Sequence, residues 1–121
     1  MTKKEIAVRF LEVASSGNVR EVYDQYVHPD FIHHNAYFKG DRETLLIGME
    51  ENQKQFPDKT YETLRTIEEG DLVAVHGKVV LSPDMIYSLI HIFRFKDGKI
   101  IEEWEAGQQL LDDSPNENGI F

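Results

Sequence analysis

The hydrophobic period of this chain changes once, near Thr60, and that single change restricts the folds open to it. Before Thr60 the apolar residues recur at helical spacing. After it, runs rich in Val, Ile, Tyr and Phe follow one another at hairpin spacing. Thr2 and Glu5 have the spacing of a capping box, and Ile6, Phe10, Leu11 and Val13 form the inner side of a helix that Gly17 stops. Asn18 can cap a second, short helix with Val19, Val22, Tyr23 and Tyr26 facing inward. His28-Pro29-Asp30 reads as a turn, and Phe31 to His34 as a short strand. Gly40-Asp41 opens a third helix carrying Leu45, Leu46, Met49 and Phe56, which Pro57 ends. Strand-like runs then cover 60–68, 72–81, 85–95 and 99–110, with turns at Gly70-Asp71, Ser82-Pro83-Asp84 and Asp97-Gly98. Three helices followed by a meander predict an α+β domain, with the helices packed on one face of a curved antiparallel or mixed sheet. The expected domain spans 1–111, and 112–121 is a polar tail.

Composition removes several function classes. The 121 residues suffice for one modest core. With 22 Asp and Glu against 13 Lys and Arg, the net charge of -9 repels phosphate backbones, so no nucleic-acid partner is expected. No apolar run reaches the ~20 residues that span a bilayer, and no membrane partner is expected. The N-terminal Met-Thr-Lys-Lys-Glu-Ile lacks the apolar stretch of a secretory signal, which makes a cytoplasmic location the expectation. The absence of Cys excludes disulfides, thiolate metal sites and a Cys nucleophile.

The segment from Leu89 to Glu105 brings ionisable residues toward one another across a turn, embedded among large apolar ones. Unpaired buried charge is costly, so this hairpin lines a pocket or forms a polar edge or interface. Its loop length decides which side chains share a face. A two-residue loop pairs Lys96 with Lys99, sets His91 opposite Trp104 and turns Glu105 away. A three-residue loop, Lys96-Asp97-Gly98, pairs Phe95 with Lys99, His91 with Glu103, and Ile90 with Trp104 on the reverse. The longer loop avoids a Lys–Lys pair and is the expected one, with Gly98 at positive φ. Ile90, Ile92 and Trp104 then form an apolar outer face, which predicts a homodimer through that face.

Three segments carry a family resemblance: Tyr26-Val-His-Pro-Asp-Phe-Ile-His-His-Asn35, Gly70-Asp-Leu-Val-Ala-Val-His76 and His91-Ile-Phe-Arg-Phe-Lys-Asp-Gly-Lys-Ile-Ile-Glu-Glu-Trp-Glu105. With the order of elements they resemble the SnoaL-like polyketide cyclases of the nuclear transport factor 2-like superfamily. The ending Asn116-Glu-Asn-Gly-Ile-Phe121 is similar to that of aldol-condensation members. The resemblance implies a cone-shaped α+β barrel, open at one end, with a hydrophobic pocket between curved sheet and helices. It also implies lyase or isomerase chemistry: an aldol closure without metal or cofactor, run by a strand His and a carboxylate on the next strand. His91 and Glu105 occupy the matching positions. The cyclases carry Asp where this chain has Glu105, and many aldol-condensation relatives have Asp in place of His91.

Such chemistry needs a base for a proton beside a carbonyl and a donor for the enolate. Glu105 is the expected base and His91 its partner; burial is expected to raise the pKa of the Glu105 carboxyl, with His91 opposing it when charged. The expected ligand is a small hydrophobic or carbonyl-containing molecule. The rival reading is a non-catalytic binding module, or a dimeric interaction protein, of the same fold. Adjacent His33 and His34 point to opposite faces of a strand and do not share one metal, and no metal site is expected. By its family position His34 is the one expected to line the pocket, with Asn35. Tyr26, Phe93 and Trp104 complete the candidate binding set, although each also suits a core or interface position. His76 is in phase with Lys78 and reads as an outward, structural residue.

Overall fold

Two of the three helix starts follow their capping chemistry in the computed structural model, which describes residues 1–121. The α1 helix (Lys3–Ser15) begins with the reciprocal capping box: Glu5 N–H donates to Thr2 Oγ1 and Thr2 N–H to Glu5 Oε1, both at 3.1 Å. The α2 helix (Val19–Tyr26) starts without the expected side-chain cap. Asn18 sits at φ −95°, ψ 50°, away from the extended backbone that aims a capping side chain back at the first turn. Asp41 caps α3 (Arg42–Gln55) by accepting from Thr44 N–H at 3.1 Å, and the helix ends just before Phe56-Pro57.

Five strands, β1 (Val27–His34), β2 (Thr60–Glu69), β3 (Leu72–Ser82), β4 (Met85–Lys96) and β5 (Lys99–Gln109), form one sheet in the order β1-β5-β4-β3-β2. The β1–β5 pairing is parallel and the others are antiparallel, so the sheet is mixed and open. Helices cover one face. There Phe10 of α1 packs at 5.7 Å from Tyr23 of α2 and 5.8 Å from Phe93 of β4, tying the three elements at one point. Leu46, Val73, Val75 and Ile100 extend this core, fully enclosed. Burying each such side chain contributes about 1.5–3 kcal/mol, which outweighs the weak intrinsic preferences of these short helices.

Two local expectations are corrected. His28-Pro29-Asp30 is not a turn between elements but an irregular stretch inside β1: between Val27↔Ile100 and Ile32↔Glu102, β1 advances from 27 to 32 while β5 advances from 100 to 102. Pro29 has no N–H to contribute to the ladder and fits this unpaired stretch. The hairpin loop has two residues, not three. Asp97 (φ 52°) and Gly98 (φ 77°) are both left-handed, and Lys96 faces Lys99. Consecutive left-handed residues match the twist of the strands, and Asp tolerates that conformation. The repulsion between two solvated ammonium groups is too small to displace it.

A bulge then restores what the short loop would have removed. Phe95 pairs with Ile100 but Arg94 pairs with Glu102, leaving Ile101 as the extra residue. Beyond it His91 faces Glu105, Phe93 faces Glu103, and Ile92, not Ile90, meets Trp104 on the outer face.

Candidate active site

Between α1, α3 and the inner face of the sheet lies a cavity of about 410 Å³. Its walls are mainly apolar, with Phe10, Leu11 and Ala14 from α1, Leu45 and Met49 from α3, Phe38 from the connection before α3, and Val79, Leu81 and Leu89 from the sheet. Gly77 on β3 contributes by lacking a side chain. A Cβ there would lie 2.5 Å from the Tyr61 ring, so only glycine lets Tyr61 lie across β3 as a wall. Its two carboxylates, Glu103 and Glu105, gather with His91 at one end.

Alternation on β4 and β5 sends His91, Glu103 and Glu105 inward together. His91 Nε2 lies 2.8 Å from Glu105 Oε1 and 3.7 Å from Glu103 Oε1. The other oxygen of Glu105 accepts from Asn35 Nδ2 at 2.7 Å. His91 and Glu103 are each only 6% exposed, whereas the Glu105 side chain is a third exposed. The imidazole stacks on Phe93, with ring centroids 5.9 Å apart and planes within 6°. Glu103 Oε2 and His91 Nδ1 are buried without a hydrogen-bond partner.

This environment drives the three groups apart. Burial raises the Glu103 carboxyl from 4.5 to about 7; the Glu105 charge adds to the rise and His91 opposes it. Burial alone would lower the pKa of His91, yet its hydrogen bond to Glu105 and the charges of Glu103 and Glu105 carry it above its ordinary value. Burial would likewise raise Glu105, but the hydrogen bond and charge of His91, with a smaller contribution from His33, hold it below. That reverses the expectation for Glu105. These effects favour a charged His91–Glu105 pair beside a Glu103 carboxyl that burial keeps protonated up to about pH 7.

The SnoaL-like domain family matches residues 7–103. The chain belongs to the SnoaL-like family. Its fold is shared by IdmH, a candidate polyketide cyclase from Streptomyces antibioticus, at 22% identity and TM-score 0.71 over 88% of this chain and 93% of that one. A SnoaL-like candidate polyketide cyclase from Jannaschia sp. superposes at TM-score 0.73 with 18% identity, covering 86% and 83%. AclR, a candidate hydroxylase from Streptomyces galilaeus, does so at 0.72 with 21% identity, covering 88% and 91%. The different names on one fold place the weight of any functional argument on the site itself. No curated protein matches the sequence significantly.

Of the candidates picked from sequence, the SnoaL-like cavity gathers His91, Glu105 and Asn35. Four others lie off it. Tyr26 belongs to the core, where its hydroxyl contacts Met1 Sδ at 3.5 Å. Phe93 is fully buried, packed beneath His91 rather than facing the space. His34 and Trp104 are partners across β1 and β5 on the outer face, stacked at 5.1 Å, with the Arg94 guanidinium 5.6 Å from the indole. The reason is parity. His33 pairs with Glu103 and points inward, so His34 must point out, where its Nε2 lies 2.8 Å from Glu102 Oε2. The buried His33 ring sits between Phe31 and Phe38, and desolvation pushes its pKa down. His76 does face outward, held by Arg65 and by Ser88 Oγ at 2.7 Å. Sequence reasoning passed over Glu103 as a site residue, although its position two before Glu105 already placed both on one face of a strand. Lys59 and Asn52, which also line the cavity, carried no such signal. No three His, Asp or Glu side chains converge as metal ligands would.

Proposed function

We propose that this SnoaL-like protein catalyses cofactor-independent acid/base chemistry on a small, mainly apolar carbonyl compound, of the aldol-cyclisation or enol-isomerisation type. One observation carries the reading: at the polar end of an apolar cavity, neighbouring ionisable groups have proton affinities pushed in opposite directions. Glu103, rather than the Glu105 expected from sequence, suits the base. Its affinity matches neutral pH, and its Oε2 is unengaged. Both oxygens of Glu105 are occupied, one by His91 and one by Asn35, which fits it to hold and charge the imidazole.

In this scheme the Glu103 carboxylate takes a proton from the carbon beside the substrate carbonyl. The C–H electrons form the enolate, and the positive charge of the His91 imidazolium, held by Glu105, stabilises it through space. For cyclisation, the enolate carbon attacks a second carbonyl in the same molecule, and the new alkoxide receives the proton that Glu103 took. Base and product are thereby balanced without an added reactant.

The test uses 2-tetralone, whose α-hydrogens exchange in D₂O and are followed by proton NMR. The protein should accelerate exchange, and Glu103→Gln should remove about 100-fold or more of that acceleration. Wild-type protein that binds 2-tetralone with no acceleration would leave the non-catalytic binding module as the reading.

A further inference from the structure

The cavity has a second polar end that the proposed chemistry does not use. Lys59, between α3 and β2, lines it with Asn52 of α3, and the Lys59 ammonium donates to Asn52 Oδ1 at 2.8 Å. That neutral amide oxygen is its sole side-chain partner. No carboxylate approaches the ammonium within 4.0 Å. An ammonium has three donors, and a half-buried one with a single neutral acceptor lacks a counter-charge. Desolvation accordingly pulls the Lys59 pKa down, a penalty that an arriving anion would relieve.

We propose that Lys59 and Asn52 form an anion-binding subsite for a carboxylate on the same substrate whose carbonyl lies at His91 and Glu103. The subsite rests on the reading of the cavity as a small-molecule site. Strand register sets the spacing. His91 is level with Val75 on β3, and Thr60, next to Lys59, with Val80, so the two ends are about 17 Å apart along the strands and about 10 Å across them. Lys59 and His91 both reach inward and shorten this span, so a bridging ligand is elongated, on the order of 10 Å or more.

The electrostatics also fix its direction. Glu103 and Glu105 repel an anion from their end, and Lys59 attracts one to the other. The neutral carbonyl is thereby presented to His91 and Glu103. The substrate class is an elongated, largely apolar keto acid, rather than a neutral ketone.

A matched pair of probes tests this: 6-phenylhexanoate and 6-phenylhexanamide, titrated by calorimetry into the wild-type protein, Lys59→Met and Lys59→Arg at pH 7.5. The wild type should bind the carboxylate at least about tenfold more tightly than the amide. Lys59→Met should erase that preference while leaving amide affinity within about threefold, and Lys59→Arg should retain it. Thermal unfolding of each variant separates a lost subsite from loss of the Lys59–Asn52 tie at the end of α3. Should Lys59→Met not fold, the wild-type preference and its decline in high salt decide the matter. Equal affinities in the wild type, or a preference that survives Lys59→Met, would overturn the subsite alone. Failure of both probes to bind would overturn the small-molecule site and the subsite with it.

Discussion

Replacing Glu103 by Gln removes the one buried carboxyl whose proton affinity is raised into the neutral range, while keeping its shape. Moving that group from 4.5 to about 7 on folding corresponds to about 3 kcal/mol, at about 1.4 kcal/mol for each tenfold change in affinity. The sign follows from which state holds the proton. Below pH 4.5 the carboxyl is protonated in folded and unfolded chains alike, and the folded state keeps its full stability. Between pH 4.5 and 7 the unfolded chain releases the proton while the folded one retains it, so stability falls as pH rises. Above pH 7 the whole contribution is gone.

Glu103→Gln has no such slope. Its stability relative to wild type should rise with pH through this window, by about 3 kcal/mol from this group, above a constant offset of ~1 kcal/mol for the altered hydrogen bonding of a buried amide. Loss of the Glu103 charge also lowers the His91 pKa, so the folded variant holds that proton less than wild type does above pH 6.5, which adds to the gain there. Urea unfolding at pH 5, 6, 7 and 8, followed by the fluorescence of Trp104, measures the difference directly. A difference between variant and wild type that stays constant within about 0.5 kcal/mol across these pH values would show that Glu103 is not a buried, proton-holding group.

Two further outcomes are expected. Glu105→Gln removes the 2.8 Å partner of His91, so the imidazole, followed by NMR, should titrate at lower pH than in wild type; an unchanged titration would show that Glu105 does not set the charge of His91. Ile90 and Ile92 stand exposed on the outer sheet face beside the Trp104–His34 stack, and we expect wild-type protein to sediment as a homodimer through that face and Ile90→Glu/Ile92→Glu as a monomer, whereas a clean wild-type monomer at micromolar concentration would count against the interface.

Local chemistry written in consecutive residues is legible in the amino-acid sequence itself. The Thr2–Glu5 capping box, the Asp41 cap and the change from helical to strand spacing near Thr60 each act within a few residues, and together they determine three helices followed by four strands in hairpin succession. Alternation likewise puts Glu103 and Glu105 on one face of β5.

Non-local decisions are not legible there. Asp97-Gly98 suits more than one loop, and the extra residue at Ile101 that turns Glu103 and Glu105 back toward His91 is selected by burial of Phe93, Phe95 and Ile100 against the helices. The facing of His34 depends on β1 joining β5 in parallel, a contact between segments about 70 residues apart, and it places both His34 and Trp104 on the outer surface. The balance of charge is settled the same way. Burial raises a carboxyl and an imidazolium partner lowers one, and neighbours at 2.8 Å and 3.7 Å give Glu105 the ion pair and Glu103 the retained proton. Differences of an ångström between groups distant in sequence decide such energies, and only packing of the whole chain sets those distances.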